Sequence, residues 1–178
     1  MRREAEVALD AAREAAAMVM AVYARPFAVE LKGPDDPVTR ADKESNALLC
    51  ERLSRAFPGV PVVAEESDPT SYAGFAAAPA AWFVDPLDGT REFVAKNGEF
   101  AVMIGLAEEG RAIVGVVAAP AWGRTLVGVV GEGAWEVTAG GALRAIHVTA
   151  LADVAQARFV VSRSRAPERV TSFIASLG

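Results

Sequence analysis

Trp82-Phe83-Val84-Asp85-Pro86-Leu87-Asp88-Gly89-Thr90-Arg91-Glu92-Phe93 is the stretch around which the remaining sequence arranges itself. The apolar run Ala81–Val84 predicts a short strand buried on both faces. It stops at Asp85, where Pro86 fixes its own φ and disfavours helix in the residue before it. A second acid, Asp88, follows, then Gly89, then Thr90, which can open a helix. Two carboxylates on one tight turn repel each other by about 4 kcal/mol at 4 Å and an effective dielectric near 20. A hard divalent cation such as Mg²⁺ removes that repulsion and prefers oxygen ligands. Gly89 permits close approach to the backbone, and amides at a helix start point toward an anion. Asp, Pro and Gly are also ordinary surface-turn residues. An apolar run leading straight into two acids nevertheless favours a metal-and-phosphate site over a plain turn.

Working outward, Val60–Ala64 is a second short apolar strand that ends in acid, at Glu65-Glu66. Two strands that each deliver carboxylates at their C-terminal ends suggest one shared site above a sheet edge. Alternatively, Glu65 and Glu66 merely begin the polar loop Ser67–Pro79, whose Ser, Asp, Pro and Gly content predicts mobility. Upstream, Val38-Thr39-Arg40-Ala41-Asp42 opens a helix expected to run to Phe57, with Ala47, Leu48, Leu49, Leu53 and Phe57 facing inward and Cys50 nearby. On spacing alone, Thr39 as cap and Asp42 as a first-turn acid suit the helix dipole, and that reading outweighs a catalytic one. Glu4–Ala24 is Ala-rich with apolar residues at helical spacing and predicts a long first helix. Between the helices, Val29–Leu31 predicts a short extended piece, and Lys32-Gly33-Pro34-Asp35-Asp36-Pro37 an irregular loop.

Downstream, a brief helix over Arg91–Lys96 ends at Asn97-Gly98. Five β-runs then alternate with turn signals: Phe100–Ala107, Arg111–Ala118, Thr125–Val130, Ala134–Val137 and Leu143–Val148. They predict an antiparallel meander with the two early helices on one face. Trp82, Trp122 and Trp135 are expected in core or rim packing, and His147 as a structural residue in a strand. Arg158–Arg165 predicts a strand and Ser/Arg-rich turn leading into a helix that starts at Pro167-Glu168.

Bulk properties narrow the classes. Length 178 with 52% hydrophobic residues supports a packed core and excludes disorder. A net charge of −5 argues against nucleic-acid polymers and anionic membranes as partners. No signal-type apolar core follows Met1, and Ala112–Trp122 is too short to span a bilayer, so no membrane insertion is expected. The single cysteine, Cys50, excludes an internal disulfide and a thiolate cluster. A reducing, cytoplasmic setting is the default. Neither a Ser-His-Asp triad nor a zinc site can be assembled.

Three motifs in order, Thr39-Arg40-Ala41-Asp42, Glu65-Glu66 and Asp85-Pro86-Leu87-Asp88-Gly89-Thr90, resemble the inositol monophosphatase-like superfamily of Mg²⁺-dependent, Li⁺-sensitive phosphatases. The haloacid dehalogenase type also ends a strand in Asp…Asp-Gly-Thr, but with its acids two residues apart. Here Asp85 and Asp88 are three apart, which disfavours a phospho-aspartate mechanism. Arg91-Glu92-Phe93, Asn97-Gly98-Glu99-Phe100 and Ser162-Arg163-Ser164 are more similar to the 3'(2'),5'-bisphosphate nucleotidase branch of sulfur assimilation. Ala101 and Met103 stand where relatives often carry polar residues.

The resemblance implies an α+β fold, two N-terminal helices packed on a largely antiparallel mixed sheet. It implies a metal- and phosphate-binding domain over 1–157 and the beginning of a C-terminal α/β domain over 158–178. Glu65, Asp85, Asp88 and the Leu87 carbonyl would hold two or three Mg²⁺ ions, with Li⁺ inhibitory. Asp42, Glu65 and Thr90 would be catalytic, Asp42 and Thr90 orienting and deprotonating the attacking water. Gly89 and Thr90 amides would hold phosphate, and Ser162 and Ser164 would touch substrate.

The implied reaction is in-line attack of a metal-activated water on the 3'-phosphate of adenosine 3',5'-bisphosphate, giving AMP and phosphate. An inositol or sugar phosphate is the rival substrate. Relatives have a further C-terminal domain carrying a Trp-Asp-type acid, so an inactive metal-binding fragment is the alternative reading of a chain ending at Gly178. Segment 158–178 is then left exposed or paired with a second copy, as a homodimer.

Overall fold

A computed structural model describes residues 1–138, 140–162 and 167–177. It divides into two compact units, Met1–Ile146 and His147–Gly178; the boundary expected after residue 157 falls inside the second. The first unit is layered α+β. Its helices are α1 (Arg3–Tyr23), α2 (Arg40–Ala56) and the short α3 (Thr90–Val94). Strands β1 (Val29–Gly33) and β2 (Asp36–Thr39) form a separate antiparallel hairpin. Strands β3 (Val62–Ala64), β4 (Ala80–Asp88), β5 (Ala101–Glu108), β6 (Arg111–Ala119), β7 (Arg124–Val129), β8 (Gly133–Val137) and β9 (Leu143–Ala145) form one sheet in chain order. Among the described residues only β3 and β4 are parallel; every later pair is antiparallel.

Both long helices pack against each other and against one face of the sheet, α1 over β5–β7 and α2 over β3 and β4. Alanine makes the close approach of α1 feasible: Ala5, Ala8, Ala12 and Ala15 are fully buried beside Val19. The sheet answers with every second residue, Val102, Ile104 and Leu106 on β5 and Val114, Val116 and Ala118 on β6. This is the period expected of an antiparallel sheet with one covered face, and each buried Val or Leu contributes about 1.5–3 kcal/mol.

One-sided covering corrects the reading of Ala81–Val84 as doubly buried: Trp82 is fully buried, whereas Phe83 on the opposite face is 41% exposed. The strand also continues through Pro86 to Asp88, because its pairing with β5 is interrupted between Asp85 and Asp88, where a proline is tolerated.

Other expectations fail for identifiable reasons. Lys32–Pro37 is the tip of the β1–β2 hairpin, not an irregular loop; Asp35 takes φ 57° to close the turn, and Pro37 pairs with Leu31 on a two-stranded ribbon. Ala47 is exposed and the inward face of α2 is instead partly polar, with Asp42, Ser45 and Asn46 buried beside Leu49 and Leu53. Trp122 lies in a single 3-10 turn after β6 and is 61% exposed, so it is not core. The last strand ends at Ala145, which leaves His147 exposed beyond it rather than within a strand. The loop after Glu66 carries two short 3-10 turns, Pro69–Tyr72 and Phe75–Ala77.

The second unit holds a 3-10 turn over Val154–Gln156, capped by Asp153, and helix α4 (Glu168–Ala175), with Phe159 and Phe173 in edge contact. The strand expected from Arg158 does not form over residues 158–162. No helix among the described residues is long and apolar enough to cross a membrane.

Candidate active site

Parallel pairing of β3 and β4 puts their C-terminal ends at the same edge of the sheet. The ladder's last bond, from the Glu65 amide to the Val84 carbonyl at 3.1 Å, sets Glu65 beside Asp85. Asp85 is half-buried, and its carboxyl is pushed up from 3.8 to about 7. Burial is the main cause, followed by the charges of Glu65 and Asp88 and a side-chain hydrogen bond with Glu65. The Leu87 amide donates to Asp85 Oδ1 at 3.1 Å, which works against that shift.

Three acids side by side, one of them holding its proton near neutrality through burial and its neighbours' charge, form a donor set suited to a divalent cation. The cage is not assembled, however: among the described residues no three His, Cys, Asp or Glu side chains are gathered to hold an ion. Glu65 and Asp88 are exposed. Lys32, from the β1–β2 hairpin, reaches Glu66 Oε1 at 2.5 Å and Glu65 Oε1 at 3.5 Å.

Asp42 stands at the start of α2, almost wholly buried. Its Oδ2 accepts from both the amide and the hydroxyl of Thr39, each at 2.7 Å, while Thr39 Oγ1 accepts from the Ala41 amide at 3.1 Å. This is a capping box with aspartate in the place usually taken by glutamate or glutamine. Its second oxygen, Oδ1, accepts from Thr90 Oγ1 at 3.0 Å, and the Leu87 carbonyl lies 3.2 Å from the same hydroxyl. Cap and site residue are therefore one carboxylate. Thr39→Ala is expected to cost about 1 kcal/mol through the lost cap, checked by urea unfolding.

Gly89 has φ +87°, and a Cβ there would stand 2.7 Å from the Glu99 carbonyl oxygen. Its own carbonyl accepts from the Phe93 amide at 2.9 Å, starting α3. Phe93 is fully buried against the rings of Tyr23, Phe27 and Phe100, at centroid distances of 5.1, 4.9 and 5.0 Å. That aromatic anchor fixes where Gly89 and Thr90 point. Beside the acids, a groove of about 560 Å³ runs along the uncovered sheet face past Tyr72, Phe83 and Met103.

A model of the inositol monophosphatase family matches residues 1–175. The chain belongs to the inositol monophosphatase family. It is 36% identical over 169 residues to the 3'(2'),5'-bisphosphate nucleotidase CysQ of Salmonella typhimurium, an alignment covering 94% of this chain and 66% of that protein. The chain thus spans a little under two thirds of that relative's length.

CysQ from Bacteroides thetaiotaomicron, a solved bacterial family member, matches with a TM-score of 0.74 at 30% identity, over 98% of this chain and 68% of that one. An IMPase/NADP phosphatase crystallised with Mg²⁺ and phosphate matches at TM-score 0.62 and 22% identity, over 70% of this chain and 46% of that one; that likeness is one of fold.

In this inositol monophosphatase family chain, then, the structure brings Glu65, Asp85 and Asp88 to one edge and ties Asp42, Leu87 and Thr90 together by hydrogen bonds. Ser162 lies in the second unit, and Ser164 lies outside the described residues. Sequence reasoning passed over Lys32, which a Gly/Pro/Asp-rich segment hides. It also passed over Ser45 and Asn46, which stand three and four residues after Asp42 and so share its face of the helix.

Proposed function

We propose that the protein is a Mg²⁺-dependent phosphomonoesterase that releases the 3'-phosphate of adenosine 3',5'-bisphosphate, giving AMP and phosphate. The observation that carries this reading is the convergence of Glu65, Asp85 and Asp88 on the edge where Thr90 meets Asp42. Similarity to CysQ nucleotidases over 94% of the chain supports the substrate class.

Glu65, Asp85, Asp88 and the Leu87 carbonyl are the groups that would hold the cations, and a cation would offset the burial and the neighbouring charges that raise Asp85. Bound there, divalent ions would supply neutralising charge and lower the pKa of water within their reach. The chain's own part is orientation and proton transfer. Thr90 Oγ1, held by Asp42 Oδ1, takes a proton from the attacking water as it passes its own to Asp42. The Gly89 and Thr90 amides would hold the phosphate, and the left-handed turn at Gly89 would let it approach the backbone closely.

Release of inorganic phosphate from adenosine 3',5'-bisphosphate, inositol monophosphate and a sugar phosphate, each with Mg²⁺ and with chelator, tests the reading. Metal-dependent preference for the nucleotide is expected, and Asp42→Asn is expected to lower turnover by about 10²–10⁴-fold, the usual worth of a general base. Preference for inositol phosphate overturns the nucleotide assignment. Mg²⁺ binding with no turnover of any substrate supports the inactive metal-binding reading instead.

A further inference from the structure

One face of α2 carries three consecutive polar positions of the helical repeat, Asp42, Ser45 and Asn46, all buried. Each reaches a different element of the candidate site. Asp42 accepts from Thr90 at the start of α3. Ser45, fully buried, donates from Oγ to the carbonyl of Pro86 at 3.0 Å, inside the Asp85–Asp88 turn. Asn46 donates from Nδ2 to Ser67 Oγ at 3.0 Å, in the turn that follows Glu65-Glu66. Ser67 is held in that turn by the hydrogen bond its amide donates to the Ala64 carbonyl at 3.1 Å.

The sheet accounts for less of this arrangement than its register suggests. Ladder bonding between β3 and β4 ends at Glu65 N to Val84 O, so the two acid-bearing turns extend past the last main-chain link between them. The pairing of β4 with β5 is likewise irregular between Asp85 and Asp88. Beyond the ladder, the bonds from Ser45 and Asn46 tie both turns to a single helix turn of α2. Positions i, i+3 and i+4 of a helix lie on one face about 5–6 Å apart, close enough to serve neighbouring loops.

We propose that Ser45 and Asn46 are positioning residues for the metal site: α2 sets the spacing between Glu65 and the Asp85/Asp88 pair through these two side chains. The claim rests on the metal-binding reading above. It differs from a fold-stabilising role, because a polar group that only stabilises the fold changes the melting temperature and leaves ion affinity alone. A group that holds the donors in place changes affinity first, by about 10–100-fold where outer partners of a metal site have been removed.

The test is calorimetric titration of the full chain with Mg²⁺ for the parent, Ser45→Ala, Asn46→Ala and the conservative Ser45→Thr, alongside melting curves in chelator. About ten-fold or greater weakening of Mg²⁺ binding in the two alanine variants, both still melting cooperatively in chelator, with recovery in Ser45→Thr, is the expected result. Affinity within two-fold of the parent in folded variants overturns the positioning role while leaving the metal site standing. A parent chain that binds no Mg²⁺ overturns both. Should either alanine variant fail to fold, Ser45→Thr and Asn46→Gln carry the same comparison, with Thr expected to keep affinity and the longer amide to lower it.

Discussion

Replacing Asp85 by asparagine is expected to raise the melting temperature of the metal-free protein at pH 8 and to remove its thermal response to Mg²⁺. The Asp85 carboxyl sits at about 7 in the folded chain against 3.8 for an unperturbed aspartate, through burial and the charges of Glu65 and Asp88. Between those two values the folded state keeps a proton that the unfolded chain releases. Stability from this group is therefore fully present below about pH 4 and is lost as the pH rises through about 7. Asparagine cannot ionise, can still accept from the Leu87 amide, and can donate to Glu65. In chelator, the parent's melting temperature should fall between pH 4 and 7 more steeply than the variant's.

Mg²⁺ should reverse the order. At a hundred times its dissociation constant a ligand adds about 2.7 kcal/mol, roughly 5–11 °C for a chain of this size. The parent should gain that shift and the variant should not. Scanning fluorimetry over pH with and without Mg²⁺ reads all four arms. A variant no more stable than the parent in chelator at pH 8 would show that burial and the neighbouring charges do not penalise an ionised Asp85.

Gly89→Ala is expected to destabilise the fold by about 2–5 kcal/mol, the sum of a left-handed backbone and an overpacked contact. The φ of +87° already disfavours any side chain, and the added Cβ meets the Glu99 carbonyl oxygen at 2.7 Å. That oxygen belongs to the backbone just before Phe100, which is buried against Phe93 and Tyr23, so it has little freedom to retreat. Gly110 provides the control. It also has positive φ, +74°, but nothing lies within 4 Å of the Cβ that an alanine would add there. Gly110→Ala should cost only the backbone part, about 1–2 kcal/mol. Urea unfolding of both variants separates the two contributions, and equal losses would show that the contact with Glu99 is unimportant.

Much of this is legible in the residues alone. Apolar spacing locates α1 and α2 to within a residue or two, and turn residues separate the strands of the meander. The acid-rich turn announces itself because Asp85, Asp88 and Gly89 interrupt an apolar run.

What stays hidden has physical causes. Pro34, Asp35 and Pro37 carry strong turn signals, and the hairpin they sit in is specified by pairing between strands, which local composition does not encode. Hydrophobic periodicity looks for apolar residues facing inward, so it ranks Ala47 above Ser45 and Asn46. Those two polar groups are buried because Pro86 and Ser67 offer them partners. An apolar run such as Ala81–Val84 does not reveal whether one face of its sheet is covered or two, and Phe83 shows that here it is one.

Cys50 is the chain's only cysteine, half-buried on α2, with its sulfur 3.7 Å from Ser67 Oγ and its thiol pushed up by burial. The molecule thus comes with a native chemical probe at the seam between that helix and the turn below Glu65-Glu66. Because the thiol is only half-buried, the rate of maleimide capture reads how accessible this junction is, with no label to engineer.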